Sequence, residues 1–404
     1  MKDIRIFGKE IIDDKVISQL ENCLINDTDI GVITPDAHYG YGHPIGGAVA
    51  YKNHISVSGV GFDIACGNKA VRTNILATDI NVSNVMDEIV KRISFGVGRS
   101  NNEKVDHEVI DRIASANFTE QRAMTQLAWD QLGTVGSGNH FIDLFVDASG
   151  YLWIGIHFGS RGFGHKTAMG FIAMSKGLGF NDKVSEGGMD SLPIILDTNT
   201  YIGQAYIEAM TLAGEYAYAG RDCVVNKVLE ILGNPEVTFS VHNHHNFAWR
   251  EEHYGDMYWV VRKGCTPAMP GQFGFIGANM HDTSCIVVGK DSEESKEALY
   301  STVHGAGRIM SRRQAAGKMK WKKLGNKRKQ VIITPGCIDF NEVKRTMKSD
   351  KIELRGAGAD EAPDCYKKLG EVLTYMPNNI EVVYALDPIG VAMAGNDVYD
   401  PYKD

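Results

Sequence analysis

The chain has 404 residues, 43% of them hydrophobic, so it can bury a large core. Its 42 basic and 50 acidic residues give a net charge of -8, which excludes binding of nucleic acid through bulk positive charge. A charged N-terminus, and no apolar run near the roughly 18 residues of a membrane span, argue against membrane contact. Seven dispersed cysteines without a C-x-x-C pair argue against a disulfide framework, so we expect a cytoplasmic protein.

The predicted elements follow one another without regular alternation of strands and helices. In chain order the patterns predict a helix over about 14–24, strands at 30–34 and 54–60, helices over about 82–94 and 119–132, strands at 140–146 and 151–158, a helix over about 202–232, strands at 237–242, 258–263, 284–289 and 330–334, a helix over about 366–375 and a strand at 380–386. This order favours an α+β fold with mixed or antiparallel sheets and peripheral helices. No repeat, low-complexity tract or linker divides the chain, so we expect one domain over residues 1–404.

Five glycine- or histidine-rich segments follow or interrupt β-like runs. They are "PDAHYGYGHPIGG" (35–47), "GVGFDIACGN" (59–68), "GTVGSGNHFID" (133–143), "IHFGSRGFGH" (156–165) and "VHNHHN" (241–246). We expect the catalytic and metal-binding residues to lie where such segments meet at strand ends.

Asp63 and Cys66 stand three residues apart in a glycine loop, and a carboxylate with a thiolate suits a borderline divalent transition metal ion. A lone cysteine in such a loop is more often a small buried hydrophobic residue. His140, His157 and His245 each end or follow an apolar strand, and with the first two residues they can complete two metal shells bridged by Cys66. His242 and His244 are not needed as ligands in this interpretation and are read as structural.

The segment 301–330, "STVHGAGRIMSRRQAAGKMKWKKLGNKRKQ", combines a glycine turn with positive charge. A helix is predicted after His304, and its N-terminus with Arg308 and Arg312 would bind phosphate. Ten basic residues and no acidic one lie between Arg308 and Lys329. A solvated basic helix face is the alternative, but in an acidic chain we favour a channel for RNA or DNA.

A histidine beside a phosphate site and a metal pair can attack the α-phosphate of a nucleotide and form a phosphoramidate. Bound metal ions would neutralise the phosphate oxygens in such a reaction. The sequence has no Walker A pattern and no strand-to-helix G-x-G-x-x-G fingerprint, so a P-loop or Rossmann nucleotide site is not supported.

Nine motifs in order carry a family resemblance: "PDAHYGYG", "GVGFDIACG", "GSGNHF", "HFGSRG", "HHNF", "RKG", "PGQFG", "HGAGRIMSR" and "DEAPDCYK". Over about residues 30–395 the chain resembles the RtcB family of RNA ligases, which act in tRNA splicing and RNA repair. The resemblance implies a single-domain RtcB-like fold around a central metal-binding cleft, with two Mn²⁺ ions and GTP as cosubstrate. Zn²⁺, Co²⁺ and Fe²⁺ fit the same donors.

The resemblance also implies a reaction and its partners. GTP guanylates a histidine, GMP passes to an RNA 3'-phosphate, and a 5'-hydroxyl then displaces GMP. A 2',3'-cyclic phosphate end is first opened by hydrolysis at the same site. The implied partners are RNA with these ends and an archease-like activating protein.

Carried onto this chain, the resemblance assigns a role to each motif residue. His304 is the nucleophile and Asp36 orients it, Asp63 with His140 forms one metal shell, His157 with His245 forms the other, and Cys66 bridges them. The implied nucleotide-binding residues are Asn139, His140, Phe141, Ile142, Asp143, His245, Asn246, Ala278, Asn279, Met280, His304, Gly305, Ala306, Gly307 and Tyr366. The implied phosphate- and RNA-binding residues are Arg161, Lys263, Arg308 and Arg312.

The chain departs from the family pattern at four places. Phe158 replaces a small polar residue beside a metal ligand, and Asp143 replaces a glutamate that meets the guanine edge. "IGANMH" (276–281) replaces I-P-G-S-M-G, and "VAMAG" with the following "NDVYDPYKD" lacks the family's terminal lysine, for which Lys403 lies too far along. The changes gather around the nucleobase, which predicts a divergent paralogue that retains the phosphoryl chemistry.

Three functions therefore stand. The favoured one is a Mn²⁺- and GTP-dependent RNA ligase, because the nucleophile and all five ligand positions survive together. The second is a dinuclear-metal phosphoesterase that acts on RNA ends without nucleotide activation. The third is a non-catalytic RNA-binding protein that uses the basic segment.

Overall fold

The computed structural model describes residues 2–185, 187–324, 327–396 and residue 398. In this part of the chain the strands are β1 Asp3–Ile6, β2 Ile30–His38, β3 Ile45–Tyr51, β4 His54–Ser56, β5 Gly67–Leu76, β6 Phe141–Val146, β7 Tyr151–Phe158, β8 Ile195–Asp197, β9 Val237–His244, β10 Asn246–His253, β11 Asp256–Lys263, β12 Cys265–Pro267, β13 Phe273–Ile276, β14 Ser284–Gly289, β15 Ser301–Val303, β16 Gly317–Leu324, β17 Lys327–Pro335, β18 Glu353–Arg355 and β19 Ile380–Met393.

The α-helices of the same residues are mostly short. They are α1 Asp14–Glu21, α2 Val57–Val60, α3 Val82–Arg92, α4 Glu108–Ala114, α5 Thr119–Arg122, α6 Thr125–Gln131, α7 Arg161–Ser175, α8 Tyr201–Ile231, α9 Glu293–Glu297, α10 Arg312–Ala316, α11 Phe340–Ser349 and α12 Leu369–Leu373. Among the described residues no helix is both long enough and apolar enough to span a bilayer.

Two large sheets carry the site. The first has the strand order β1-β2-β3-β11-β10, with β1 and β2 parallel and the other pairs antiparallel. The second runs β13-β14-β19-β6-β7-β5-β9, and β18 joins it as a parallel neighbour of β19. This mixture of sheets and peripheral helices confirms the predicted α+β class.

The second sheet curls until its two ends meet. Asn68 of β5 donates from Nδ2 to the Phe275 carbonyl of β13 at 2.7 Å. Asn243 of β9 accepts the Phe275 N–H at 3.1 Å. These amides join strands that are distant in the order of the sheet, and the curl brings the ends of β5, β6, β7 and β9 to one place.

Helix α8 spans 31 residues and forms the floor beneath that place. Thr200 caps it by accepting the Gly203 N–H at 3.1 Å. The first half of the helix packs on α7 in the largest apolar cluster, and the second half packs on the sheet through side chains such as Val224 and Val228. Two core clusters therefore share one rigid helix directly under the sheet.

The helix predicted over 202–232 is confirmed as α8, and the paired strands predicted at 140–146 and 151–158 are confirmed as β6 and β7. Three predictions were wrong in part. Residues 57–60 form α2, the helix expected over 119–132 is divided into α5 and α6, and that over 366–375 is reduced to α12. The single-domain prediction for 1–404 stays a prediction.

The helix expected in the basic segment is also wrong beyond α10. Residues 317–324 and 327–335 pair as the antiparallel strands β16 and β17. The sequence carried a signal for this, since lysines at 318, 320 and 322 alternate with Met319 and Trp321 in the two-residue period of a strand. Sequence reasoning also missed α7, because glycines at 162, 164 and 170 resemble a loop.

Candidate active site

A cavity of about 1550 Å³ lies beside the curled sheet. The glycine turn 304–307, the loop 277–280 and β6 contribute to its walls. The predicted nucleotide- and phosphate-binding residues that line it are Asn139, Phe141, Asp143, Ala278, Asn279, Met280, His304, Gly305, Ala306, Gly307, Arg308, Arg312 and Tyr366. His157, a predicted metal ligand, lies on the same wall.

All five predicted metal ligands meet next to this cavity. The Cys66 Sγ lies 3.6 Å from both His140 Nε2 and His157 Nε2. His140 Nε2 lies 3.0 Å from an Asp63 carboxylate oxygen. Two groups can hold a cation, Cys66–His157–His245 and Asp63–Cys66–His140, with donor atoms within 4.8 Å of one another in each group. Cys66 belongs to both groups.

Backbone geometry at the ends of β5, β7 and β9 sets this meeting. The loop 63–66 closes through the Cys66 N–H, which donates to the Asp63 carbonyl at 3.0 Å, and the His245 N–H donates to the Cys66 carbonyl at 2.9 Å. Glycine is required nearby because a Cβ at Gly159 would lie 2.3 Å from the Asp63 carboxylate. A Cβ at Gly136 would similarly lie 2.0 Å from His140 Nδ1.

The electrostatics of the group suit a metal ion. Burial lowers the pKa of both His157 and His245 well below the ordinary value, so these imidazoles are neutral and keep a lone pair for coordination. The His245 Nδ1 atom is buried and has no hydrogen-bond partner within the described ranges. Burial and the neighbouring Asp63 raise the pKa of the Cys66 thiol, and a bound dication would favour its thiolate.

Asn68 orients one ligand from behind, and sequence reasoning missed it. Its Oδ1 accepts the His157 Nδ1–H at 2.6 Å, which leaves Nε2 for a metal ion. We expect Asn68→Ala to weaken metal binding by about 10- to 100-fold, the usual effect of losing such a partner. Titration of the metal-free protein with Mn²⁺ by calorimetry measures this loss.

The matched control is Asn243→Ala, because Asn243 also holds Phe275 but makes no contact with His157 that the structure records. Equal metal affinities for the two variants would show that Asn68 matters for metal binding only through its bond to Phe275 of β13, and that its bond to His157 has no effect on affinity.

His304 and Asp36 form a second constellation at the cavity wall. The Asp36 Oδ2 atom accepts His304 Nδ1–H at 2.7 Å and the His304 backbone N–H at 3.1 Å. Burial raises the pKa of Asp36, but His304 and the Thr34 hydroxyl outweigh it, so the net pKa is lowered and the group is a carboxylate. The His304 and His245 ring centroids lie 5.0 Å apart. The histidine with an oriented Nδ1 therefore stands beside the metal ligands.

The helix predicted to begin directly after His304 is not present, so this prediction was wrong. Gly305 forms a parallel bridge with Gly277, and Arg308 forms an antiparallel bridge with Tyr366. The following helix, α10, starts at Arg312 and has five residues. The segment is extended because strands and loops on both sides bind its backbone, and the His304 N–H is used by Asp36. Because no helix N-terminus lies here, we expect side chains to bind the anion in place of backbone N–H groups.

Arg308, Arg312 and Tyr366 converge on Glu361, a residue that sequence reasoning did not select. Arg308 Nη1 donates to the Tyr366 hydroxyl at 2.8 Å and lies 3.3 Å from Glu361 Oε2. Arg312 donates to both Glu361 and Asp360, and the Tyr366 hydroxyl donates to Glu361. Glu361 lies in the quoted "DEAPDCYK", and no sequence signal within that motif separates it from its acidic neighbours Asp360 and Asp364. The carboxylate fixes both guanidinium groups at the cavity.

Six predicted binding residues are not among those that line this cavity: His140 and His245 lie in the metal-ligand groups, and the other four make contacts elsewhere. Ile142 packs into the core behind β6, and Asn246 Oδ1 accepts the Gly264 N–H at 2.7 Å. Lys263 donates to the carbonyls of Tyr41 and Ser58, and burial lowers its pKa to about 8. Arg161 donates to the Gly96 carbonyl at 3.1 Å. Their contacts with nucleotide or RNA stay predictions.

The structure corrects the expectation for Phe158. Adjacent side chains of a strand point to opposite faces, so Phe158 packs into the core, where a Cβ at Gly220 of α8 would lie 3.3 Å from its ring. It therefore does not lie beside the metal ligands.

In the loop 276–281, Asn279 Oδ1 accepts the N–H groups of His281 and Asp282, both at 3.0 Å. Lys403 lies outside the described residues.

Asp143 is a buried acid at the cavity wall, and its Oδ1 has no hydrogen-bond partner in the part of the chain that the structure covers. Burial raises its pKa well above the ordinary value, although the Ala392 N–H acts in the opposite direction. The folded state keeps this proton to higher pH than the unfolded state does. Stability therefore falls as pH rises above about 4, by about 1.4 kcal/mol per pH unit, up to the folded-state pKa.

We expect Asp143→Asn to remove this loss, so that the variant gains stability relative to the parent protein as the pH rises above about 5. Urea unfolding across this range measures it. Asp147→Asn is the matched control, because burial raises the Asp147 pKa but its bond to Arg72 helps to lower it overall. Because the Asp147 pKa is lowered, its proton binding differs between folded and unfolded states only below about pH 4, so above about pH 5 we expect Asp147→Asn to be less stable than the parent by an amount that does not change with pH. A gain that grows with pH in both variants would contradict the assignment.

Comparisons with known proteins show the family to which the sequence is similar. The sequence model of the family described as tRNA-splicing ligase RtcB matches residues 26–128 and 112–394. The chain is 30% identical to the RNA-splicing ligase RtcB of Escherichia coli K12 over 387 residues, covering 88% of this chain and 87% of that protein. It is 28% identical to the tRNA-splicing ligase RtcB of Pyrobaculum aerophilum, covering 77% and 81%. Identity to the Thermococcus kodakarensis protein is 25%, covering 97% and 95%.

Proposed function

The chain belongs to the RtcB family of RNA-splicing ligases, and we propose that it joins RNA 3'-phosphate or 2',3'-cyclic phosphate ends to 5'-hydroxyl ends through a guanylated His304. RNA ligase activity is the part of this proposal that family membership supports directly. Metal binding and the role of His304 are supported by the local geometry and by residue chemistry, whereas GTP as cosubstrate is proposed from the family resemblance.

The observation that carries the proposal is the contact between Asp36 and His304 beside the metal ligands. A carboxylate that accepts the Nδ1–H fixes one imidazole tautomer and leaves Nε2 with its lone pair. A histidine held in this way is a nucleophile that needs no further proton removal before attack. A general structural role would not require the nucleophilic nitrogen to stand next to a cation site.

The donor atoms fit two divalent ions, for which we propose Mn²⁺. Asp63 and His140 would hold one ion, His157 and His245 the other, and the Cys66 thiolate both. Bound there, such ions supply charge neutralisation for phosphate oxygens. Zn²⁺, Co²⁺ and Fe²⁺ accept the same donors, so the metal must be identified by analysis of the purified protein.

The proposed reaction has three transfers. His304 Nε2 attacks the α-phosphorus of GTP, and the bond to pyrophosphate breaks. The GMP then passes to the RNA 3'-phosphate and frees the histidine. The 5'-hydroxyl attacks the activated phosphate, loses its proton, and displaces GMP. Arg308 and Arg312, fixed by Glu361, stand at the cavity wall to hold the phosphates in place.

The test is incubation with Mn²⁺ and each α-³²P-labelled ribonucleoside triphosphate in turn, followed by a denaturing gel and acid treatment. We expect an acid-labile label from GTP that is absent in His304→Ala. A label from a different nucleotide would show that Asp143 and the loop 276–281 have changed the base specificity. A protein that binds two metal ions yet takes up no label, even with an archease-like activator, would overturn the guanylation proposal.

The two remaining functions predict results in two other assays, one of turnover of RNA ends and one of RNA binding. Release of phosphate from a cyclic-phosphate RNA without GTP, unchanged in His304→Ala, would support a phosphoesterase. RNA binding that survives chelation, with no turnover of any RNA end, would support a binding protein that uses the basic segment.

A further inference from the structure

Arg221 in the middle of α8 is fully buried and has no part in the reaction proposed above. Its Nη1 donates to two backbone carbonyls, that of Ala65 at 3.0 Å and that of Phe158 at 2.6 Å. Its Nη2 lies 2.8 Å from His244 Nδ1, and its Nε donates to His242 Nε2 at 2.8 Å. A buried guanidinium is costly unless its donors are used, and here four acceptors meet it.

Three of these contacts are to the chain neighbours of metal ligands. Ala65 precedes Cys66, Phe158 follows His157, and His244 precedes His245. The fork thus joins the ends of three separate segments, and each segment supplies one member of the Cys66–His157–His245 group. Asp63 and His140 have no such connection among the contacts that the structure gives for Arg221.

The histidines of "VHNHH" complete this support. The Tyr218 ring of α8 lies 3.8 Å from the His244 ring and 4.3 Å from the His242 ring, measured between centroids. Arg221 stacks on the same tyrosine at 5.2 Å. Both histidines accept from a cation and are therefore neutral. They are acceptors for Arg221 and are not ligands.

We propose that Arg221 is a positioning residue that holds Cys66, His157 and His245 in ligand geometry from beneath the site, and so sets the affinity of one of the two metal positions. A planar fork with several fixed donors can span acceptors on three segments, whereas a single ammonium group cannot. The inference rests on the proposed metal centre and adds a selective effect, because the Asp63–His140 position depends less on Arg221.

The test is a Co²⁺ titration of the metal-free protein, followed by optical absorption, since a thiolate-to-cobalt band reports coordination by Cys66. We expect Arg221→Met to lose about 10- to 100-fold in affinity at one position while the other still binds. Arg221→Lys, which keeps the charge and reaches some of the acceptors, should recover part of the loss.

Arg72→Met is the matched control. Arg72 lies on β5 and donates to buried Asp147 at 2.8 Å, away from the ligands, so its loss lowers stability without changing cobalt affinity. Thermal unfolding of each variant separates the two effects. If Arg221→Met does not fold, the cobalt affinity of Arg221→Lys decides the question. An affinity lower than that of the parent supports the proposal, and an affinity equal to that of the parent overturns it.

Two further outcomes distinguish this inference from the proposed function. Two cobalt ions bound by parent and Arg221→Met with equal affinity would overturn the role of Arg221 and leave the metal centre intact. No cobalt bound by the parent would overturn the metal centre, and the role of Arg221 with it.

Discussion

Replacing Cys66 by alanine is expected to remove both metal positions together and to lower RNA ligation by at least about 10³-fold. The Cys66 Sγ belongs to both ligand groups and lies 3.6 Å from a histidine nitrogen of each. A metal ion contributes several kcal/mol of charge stabilisation in the transition state, and each 1.36 kcal/mol corresponds to a factor of ten. Metal content by elemental analysis and ligation of a 3'-phosphate RNA measure the two effects.

Cys285→Ala is the control for this prediction. Cys285 is equally buried, at 5% exposure against 6% for Cys66, and packs in an apolar cluster of β14 away from the ligands. Its loss should lower stability by the cost of a small cavity and leave metal content unchanged. Full metal content in Cys66→Ala would contradict the shared-ligand interpretation, and loss of one ion would limit Cys66 to a single group.

Replacing Asp36 by asparagine is expected to lower ligation by about 10³- to 10⁴-fold while the protein stays folded. An amide has almost the shape of the carboxylate, but its NH₂ group opposes the Nδ1–H of His304 and favours the wrong tautomer. The corresponding substitution in a Ser-His-Asp triad has an effect of this size. Labelling with α-³²P-GTP measures the step directly, because the histidine must attack in that step.

Asp29→Asn is the matched control, since Asp29 is a buried aspartate that accepts loop N–H groups of Ile25 and Asn26 outside the cavity. It should label with GTP at the parental rate. Asp36→Asn labelling at the parental rate, with ligation reduced, would move the role of Asp36 from the attack on GTP to a later transfer.

The sequence predicted most of the chemical inventory of this protein. Ligand types with glycine neighbours identified Asp63, Cys66, His140, His157 and His245, and the structure brings the five together. Their roles could be proposed because thiolate, carboxylate and imidazole have few shared uses. The α+β class also followed from local periodicity, because α8 and the β6–β7 pair each keep one period over many residues.

Errors of local structure arose where two patterns competed. Glycines hid α7, since they favour a loop in isolation but in the fold allow close approach, as at Gly164, where a Cβ would lie 1.7 Å from Ser160 Oγ. The prediction for the basic segment rested on its positive charge and did not use the alternation of residues that forms β16 and β17. Neither the glycines of α7 nor the charge of the basic segment shows by itself which neighbouring surface the segment will pack against.

Residue chemistry in the sequence was enough to predict which residue types could bind metal and phosphate, and periodicity predicted the long regular elements such as α8 and the β6–β7 pair. Only the tertiary structure decided that Phe158 faces α8 and not the ligands, that Glu361 fixes Arg308 and Arg312, and that Arg221 joins three segments under Cys66. The physical reason is that residue chemistry and periodicity are local properties. Hydrogen bonds between Arg221 and carbonyls 156 and 63 residues away exist because sheet curl and helix packing bring those atoms together.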